Sequence, residues 1–569
     1  MTKVLLIPSA KLIPVELQMD FGAIPSAMIP LESQPVLKYI ASPYVRQDYQ
    51  PIVAVHEHGD QVVRYVEKHP ELQTKAVDVG STKSLGETVL NALSDTLDKT
   101  ETIVEHLLIN FADTFVGDAL PAANFIAYHR QSDVYRWTTF EFSPDHLLKN
   151  LADKNREKED LETIPVFVGV FGITDVSRFY QCLQRQVEAH QPGELDPFYQ
   201  ALKIHFNTLA STDKAFIEVQ EWHDFGHLDT YHATKKNLYL NKRHFNEVDV
   251  DARRGIVRKS STNVQKFIHE INWYLRLPKK MNYIAPRIFD YSLDVTSPFV
   301  EMEFYGYPPL NDVYMFGDCD AGVWRQIFQS IDCLIEEMGQ YKLQPHEPRK
   351  LTDAMHEMYI QKTVKRLDGI VADPDFVFFT QKNVLINGQT CMGLKEVLAV
   401  LPEMVERLNL YGLDSFHIIH GDLCLSNILY DRRNRIIRVI DPRGTFGEFD
   451  IYGDPRYDLA KLSHSLEGDY DFIVNGLFES DLTDNAYTFR PFLDERHLTI
   501  KEMFWNEFMK KRQARRSVYE QIKFIESLLF LSMVPLHSDR PASQAAFLAR
   551  GLQIFTDIFQ KNLQEATSS

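Results

Sequence analysis

Asp422, Asn427 and Asp441 are the residues of this chain best suited to do chemistry. They lie in HGDLCLSNIL at 420–429 and IDPRG at 440–444. His420, Asp422 and Asn427 follow the pattern H-x-D-x-x-x-x-N, and Asp441 comes 19 residues after Asp422. A carboxylate, an amide and a second carboxylate at these intervals suit phosphoryl transfer from a nucleoside triphosphate. The first carboxylate orients an attacking hydroxyl and accepts its proton. The amide oxygen and the second carboxylate hold the magnesium ions that neutralise the triphosphate.

Local elements must place these groups. Phe416, Ile418 and Ile419 form an apolar lead-in, and Ile436, Ile437, Val439 and Ile440 read as a buried strand. The turn YDRRN at 430–434 folds that strand back as a hairpin, which returns Asp441 to the side of Asp422 and Asn427. GDPRYDLAKL follows at 453–462. Together these segments resemble the aminoglycoside phosphotransferase and choline kinase family, in which H-G-D-x-x-x-x-N stands where protein kinases have H-R-D-x-x-x-x-N. The resemblance implies that Asp422 is the catalytic base, that Asn427 and Asp441 are metal ligands, and that His420 braces the loop. It also implies that Asp458 is a structural acid that caps the helix after the metal loop. IDPRG departs from the family's I-D-[FW]-[ED], which makes Arg443 a candidate contact to phosphate or to an acidic substrate.

A kinase-like fold needs a small lobe before this loop. RHFNEVDVDARRGIVRKSS at 243–261 offers two strands joined at Asp251–Gly255. Lys259 is the candidate phosphate-binding lysine, with Glu270 in KFIHEINWYLRL as its partner; Arg258 and Lys266 are rivals. No glycine-rich loop precedes Lys259, and the turn Ala252–Gly255 is a candidate substitute. FVEMEFYGYPPL at 299–310 reads as a strand leading into a hinge, where Glu301, Met302 and Glu303 are candidates to meet the nucleotide base. From 321 onward apolar residues recur at helical spacing, as in Val323, Ile327, Ile331, Leu334 and Met338, and the chain reads as helical.

The first half alternates short apolar strands, at Val4–Ile7, Ile52–Val55, Val104–Asn110 and Ile164–Phe171, with amphipathic segments such as Phe179–Val187. That alternation implies a mainly parallel sheet covered on both faces. VLLIPSA at 4–10, IPSAMIPLESQPVLKYI at 24–40, LLINFADTF at 107–115 and EWHDFGHLDTYHATKKN at 221–237 resemble the sugar-phosphate nucleotidyltransferase family. The resemblance implies a mixed sheet and two metal-binding carboxylates, Asp113 and Asp224. The family's G-x-G-[TS]-R phosphate loop is absent: the first strand is followed by SAKLIPVELQ, with no glycine before Gly22. Ser26 stands where the family has a lysine. GSTKSLGET at 80–88 lacks the spacing of a P-loop and matches better the family's base-contacting turn and helix.

Composition bounds the rest. At 569 residues the chain is long enough for about three folding units. Its net charge of −18 argues against nucleic acid or an anionic membrane as the main partner. The five cysteines show no C-x-x-C spacing, and no run of 18 apolar residues occurs, which together point to a reducing, cytoplasmic setting. The expected fold is α/β: a Rossmann-like nucleotidyltransferase-type mixed-sheet domain at 1–240, then a two-lobed protein-kinase-like α+β domain. Its N-lobe is expected at 241–310 and its helical C-lobe at 311–569. The expected activity is ATP- and magnesium-dependent phosphorylation of a sugar, polyol or amino alcohol, with CTP or UTP as candidate nucleotides for the front domain. Pairing the two domains suggests precursor synthesis for a surface or capsular polysaccharide, an inference by association. The alternatives are a kinase with a non-catalytic front module and a non-catalytic nucleotide-binding scaffold.

Overall fold

A computed structural model of the chain describes residues 2–99, 104–132, 134–153, 163–239, 246–251, 254–344, 347–513 and 516–568. It divides into two compact units. One comprises Met1–Lys235 with Phe316–Asp318, the other Lys236–Met315 with Cys319–Ser569. The expected domain boundary at 240–241 falls outside the described residues, as do Ala252 and Arg253 of the candidate phosphate-covering turn.

The first unit is built on a nine-stranded mixed sheet. Its main order is Leu148–Asp153, Thr138–Phe142, Ile164–Ile173, Val104–Asn110, Thr2–Ser9, Tyr49–Val55 and Lys75–Asp78. Thr2–Ser9 pairs in parallel with both neighbours, and Tyr49–Val55 with Lys75–Asp78. Val4 to Ile7 are almost wholly buried, as a strand covered on both faces must be. The other end is antiparallel where Ile164–Ile173 meets Val104–Asn110, Phe125–Gln131 and Thr138–Phe142. An aromatic core sits there, with Phe140 stacked on Phe167 at 4.3 Å. The mixed sheet is therefore as the family resemblance implied; the parallel character that the alternation suggested prevails at one end, and at the other it is confined to the pairing of Ala215–Glu218 with Phe125–Gln131.

The helix Leu85–Lys99 shows why GSTKSLGET is not a phosphate loop. The Asp196 carboxylate accepts hydrogen bonds from Leu85 N (2.9 Å) and Gly86 N (3.0 Å) at the helix N-terminus. The same carboxylate caps the helix Pro197–Thr208 through Phe198 N. A side chain thus supplies the negative charge that a helix start attracts, at the place where a phosphate would otherwise sit.

The second unit has two lobes. The smaller holds a four-stranded antiparallel sheet in the order Asn246–Asp251, Ile256–Ser261, Phe299–Glu303, Ile288–Ser292, and the helix Val264–Arg276. The larger is mainly helical. Asp320 caps Ala321–Gln340, and Asp454 with Pro455 at the first helical position starts Pro455–Leu466. The helical expectation needs one correction. Gln389–Met392, Asn383–Ile386, Ala486–Pro491 and Phe478–Leu482 form a second antiparallel-rich sheet inside this lobe. The first two of these strands have four residues each and pair with each other across the two-residue turn Asn387–Gly388, and Asn383–Ile386 also pairs with Ala486–Pro491, remote in sequence. Among the described residues no helix is long and apolar enough to cross a membrane.

Candidate functional site

The segment HGDLCLSNIL is held by its backbone. His420 N and Gly421 N donate to the two oxygens of the Asp458 carboxylate, at 2.7 and 2.8 Å, so Asp458 braces the loop and the cap of the helix Pro455–Leu466 is Asp454 instead. Trp273 Nε1 donates to Ile419 O at 2.7 Å, which ties the small-lobe helix to the loop. His420 Nε2 lies 3.0 Å from Ile440 O and so joins the loop to the second strand of the hairpin. The hairpin pairs Ile428–Asp431 with Ile436–Val439, and the Asp431 carboxylate caps its turn through Arg433 N and Asn434 N. Ile440 N then donates to Asn427 O at 3.0 Å, which sets Asp441 beside the loop. Asp441 has φ of 57°, a left-handed conformation that is uncommon for a residue with a Cβ and is characteristic of functional sites.

These restraints bring Asp422, Asn427, Asp441, Arg443, Lys259 and Glu270 to one cleft of about 750 Å³ between the two lobes. Lys259 Nζ lies 2.6 Å from Glu270 Oε1 and 2.9 Å from Asp441 Oδ1. Burial alone would lower the Lys259 pKa, but the carboxylates of Asp441 and Glu270 outweigh it and hold the ammonium above its ordinary range. Burial pushes Glu270 up to about 7 despite the lysine. The rival Arg258 pairs with Glu301 at 2.7 Å instead. Glu303 accepts a hydrogen bond from Tyr305 Oη at 2.9 Å, and neither Glu301 nor Glu303 lines this cleft.

Asp422 is paired with Lys461, a residue whose role was not apparent from the sequence, at 2.8 Å. Burial would raise the Asp422 pKa, but the Lys461 ammonium and its hydrogen bond hold the carboxyl below its usual range. Asn427 Nδ2 donates to Asp422 O at 2.9 Å, so its amide oxygen is left as the group that could bind a cation. The signal for Lys461 was its position three residues after Asp458 in GDPRYDLAKL. On the helix Pro455–Leu466 that spacing puts both side chains toward the loop. Cys424 is buried, and burial pushes its thiol up to about 12, far from the range of a nucleophile.

Two further residues give measurable consequences. Gly444 has φ of 82°, and a Cβ there would lie 2.3 Å from the backbone of His269 on the small-lobe helix. Gly444→Ala is expected to destabilise the second unit by about 3 kcal/mol or more, read from its urea midpoint. Burial holds the His420 imidazole down at about 4, so it is neutral at pH 7. Because its folded pKa lies below its unfolded one, the stability this group contributes is present above about pH 6.5 and is lost as pH falls toward 4. Wild type is therefore expected to lose about 3 kcal/mol relative to His420→Asn between those pH values. A stability difference that does not change with pH would contradict the buried neutral imidazole.

In the first unit, Asp113 follows the strand Val104–Asn110, and Asp224 ends Trp222–Asp224, whose ladder pairs it with Thr114. Phe225 N donates to Asp113 O at 2.8 Å. A Cβ added to Gly226 would lie 2.8 Å from Asp113 Oδ2 and 3.4 Å from Asp224 Oδ1, so the two carboxylates converge where only glycine fits. Thr230 Oγ1 donates to Asp224 Oδ2 at 2.6 Å, and the hydrogen bond that the Asp224 carboxylate accepts from the His227 ring raises the His227 pKa. Among the described residues no group of three or more His, Cys, Asp or Glu side chains is placed to hold a metal. Magnesium needs fewer, since one or two carboxylates with substrate phosphates and water complete its shell.

No protein-family model matches the chain, and neither does any curated protein. Solved structures do resemble it. A nucleoside-diphosphate-sugar pyrophosphorylase from Vibrio cholerae RC9 is similar over 41% of this chain and 99% of its own, at 15% identity and a TM-score of 0.34. CTP:phosphocholine cytidylyltransferase from Streptococcus pneumoniae is similar over 42% of this chain and 100% of its own, at 11% identity and a TM-score of 0.33. An ADP-bound aminoglycoside phosphotransferase is similar over 56% of this chain and 93% of its own, at 12% identity and a TM-score of 0.34. The structural neighbours thus include both groups that the sequence resembles.

Proposed function

We propose that the second unit is an ATP-dependent phosphotransferase acting on a hydroxyl of a small molecule, such as a sugar, polyol or amino alcohol. The observation that carries this reading is the convergence of Asp422, Asn427, Asp441 and the Lys259–Glu270 pair on one cleft between two lobes. In this reading residues 241–310 are the N-lobe and 311–569 the C-lobe. Asp422 orients the acceptor hydroxyl and takes its proton, and Lys461 keeps that carboxylate ionised. Lys259 holds the α- and β-phosphates, with Glu270 fixing its ammonium. Asn427 and Asp441 would hold magnesium, which neutralises the triphosphate when bound. Arg443, which lines the same cleft, would contact the acceptor. The test is incubation of the full chain with Mg-ATP over a panel of alcohols, read by mass spectrometry, with Asp422→Asn as control. Absence of any magnesium-dependent phosphorylated product would sink the reading in favour of a non-catalytic nucleotide-binding scaffold.

For the first unit, residues 1–240, the reading is a nucleotidyltransferase-like domain with Asp113 and Asp224 as its metal ligands and CTP or UTP as its nucleotide. A second reading, a binding module without catalysis, is favoured by the segment after the first strand. It has no glycine before Gly22, and its nearest cation, Lys11, is exposed to solvent. Asp113→Ala and Asp224→Ala decide between them. Loss of a nucleotidylated product supports catalysis, whereas unchanged products support the module. A kinase joined to such a domain in the cytoplasm fits stepwise activation of precursors for a surface or capsular polysaccharide.

A further inference from the structure

The wall of the cleft beside Asp422 is strongly basic, although the chain as a whole carries a net charge of −18. Lys362, Arg366, Arg443 and Lys461 all line it. The cleft holds three carboxylates, and each already has a lysine: Glu270 and Asp441 share Lys259, and Asp422 has Lys461. Lys266 also lines the cleft, and the hydrogen bonds of the other three cations of this wall go to uncharged groups. Lys362 Nζ donates to Tyr457 Oη at 3.2 Å, Arg366 Nη1 to Ser532 O at 3.0 Å, and Arg443 Nε to Thr445 O at 3.1 Å. Among the described residues none of these three has a carboxylate at ion-pair distance.

Such an arrangement is unfavourable in the free protein. Burial, and then the charges of Arg443, Arg366 and Lys461, lower the pKa of Lys362 well below its usual value. Like charges gathered on one wall repel each other, and the energy is recovered only when an anion enters. A cationic acceptor would meet the same repulsion, with only the lysine-paired carboxylate of Asp422 to offset it.

Building on the phosphotransferase reading, we propose that the acceptor alcohol carries an oxyanion, a phosphate or a carboxylate, which Lys362, Arg366 and Arg443 hold while its hydroxyl lies at Asp422. The transfer is balanced within the site. The bond between the γ-phosphorus and the ADP oxygen breaks, and a bond from that phosphorus to the acceptor oxygen forms. The hydroxyl proton passes to Asp422, and the products are ADP and an acceptor with one more phosphoryl group. The anion confers specificity through two guanidinium forks and one ammonium, groups suited to oxyanions.

The test uses the full chain with magnesium and non-hydrolysable AMP-PNP filling the nucleotide end. Inorganic phosphate and acetate are titrated by calorimetry into wild type, Lys362→Gln and Arg366→Gln. In parallel, Mg-ATP turnover is measured on glycerol, glycerol 3-phosphate, glycerate and choline. The expected result is oxyanion binding at least tenfold weaker in each variant with AMP-PNP affinity unchanged. Glycerol 3-phosphate or glycerate should also be turned over at least tenfold faster than glycerol or choline, and the faster of the two identifies the oxyanion. Oxyanion binding unaffected by either substitution while AMP-PNP still binds, or a preference for choline, overturns the anionic acceptor and leaves the phosphotransferase reading intact. Failure of magnesium-dependent AMP-PNP binding to wild type overturns the phosphotransferase reading itself.

Discussion

Asp422→Asn should lower kcat about 10²- to 10⁴-fold, the range of a lost general base, while Mg-ATP binds with little change. The substitution keeps the shape of the side chain and the backbone of the loop. It removes the acceptor for the hydroxyl proton and the negative charge facing Lys461. Because Asn427 Nδ2 donates mainly to the backbone oxygen of residue 422, the amide ligand should stay in place. A loss confined to kcat, read in single-turnover kinetics with the acceptor in excess, marks a role in the transferring step. Turnover within tenfold of wild type would show that the hydroxyl is activated elsewhere, and the assignment of Asp422 would be abandoned.

Lys259→Met should be as damaging but by a different route. It removes the cation that holds Glu270 and Asp441 together and leaves the buried Glu270 facing the half-buried Asp441. Breaking a buried pair from one side typically costs about 3–5 kcal/mol, so this variant should lose stability as well as ATP affinity. Glu270, already pushed up to about 7 by burial, would lose the lysine that favours its charged form. The double variant Lys259→Met with Glu270→Met separates the two effects. Replacing the pair by apolar side chains of similar length should restore most of the thermal stability, because the desolvation cost disappears with the charges. Magnesium-ATP turnover should not return. Recovered turnover in the double variant would show that the lysine is a structural group only.

The fold and much of the site were legible because they rest on local rules. Each of the four strands expected in the first half is present, with Val104–Asn110 at the same bounds, because buried strands read as continuous apolar runs. Asp422, Asn427 and Asp441 were legible together because a short loop and a hairpin fix their separation within about twenty residues. Glu270 was legible because a lysine on a strand and an acid on the next helix are 11 residues apart. The hinge residues Glu301 and Glu303 were candidates by their position on the strand; their carboxylates pair with Arg258 and Tyr305. The second sheet of the large lobe escaped notice although it is built from two local hairpins of short strands, which the pairing of Asn383–Ile386 with Ala486–Pro491 then joins.

By itself, then, the sequence determined the residue types and the order of the loop: two acids and an amide whose spacing along the chain sets their spacing in the cleft. It could not say which charges would surround them. Lys461 comes from a later helix, Lys362 and Arg366 from an earlier one, and Ser532, which receives Arg366, from a third. A helix presents charges on several faces, and only packing selects the face that meets the cleft. The tertiary structure therefore decided that the wall beside Asp422 is basic, a property that belongs to no single segment of the chain.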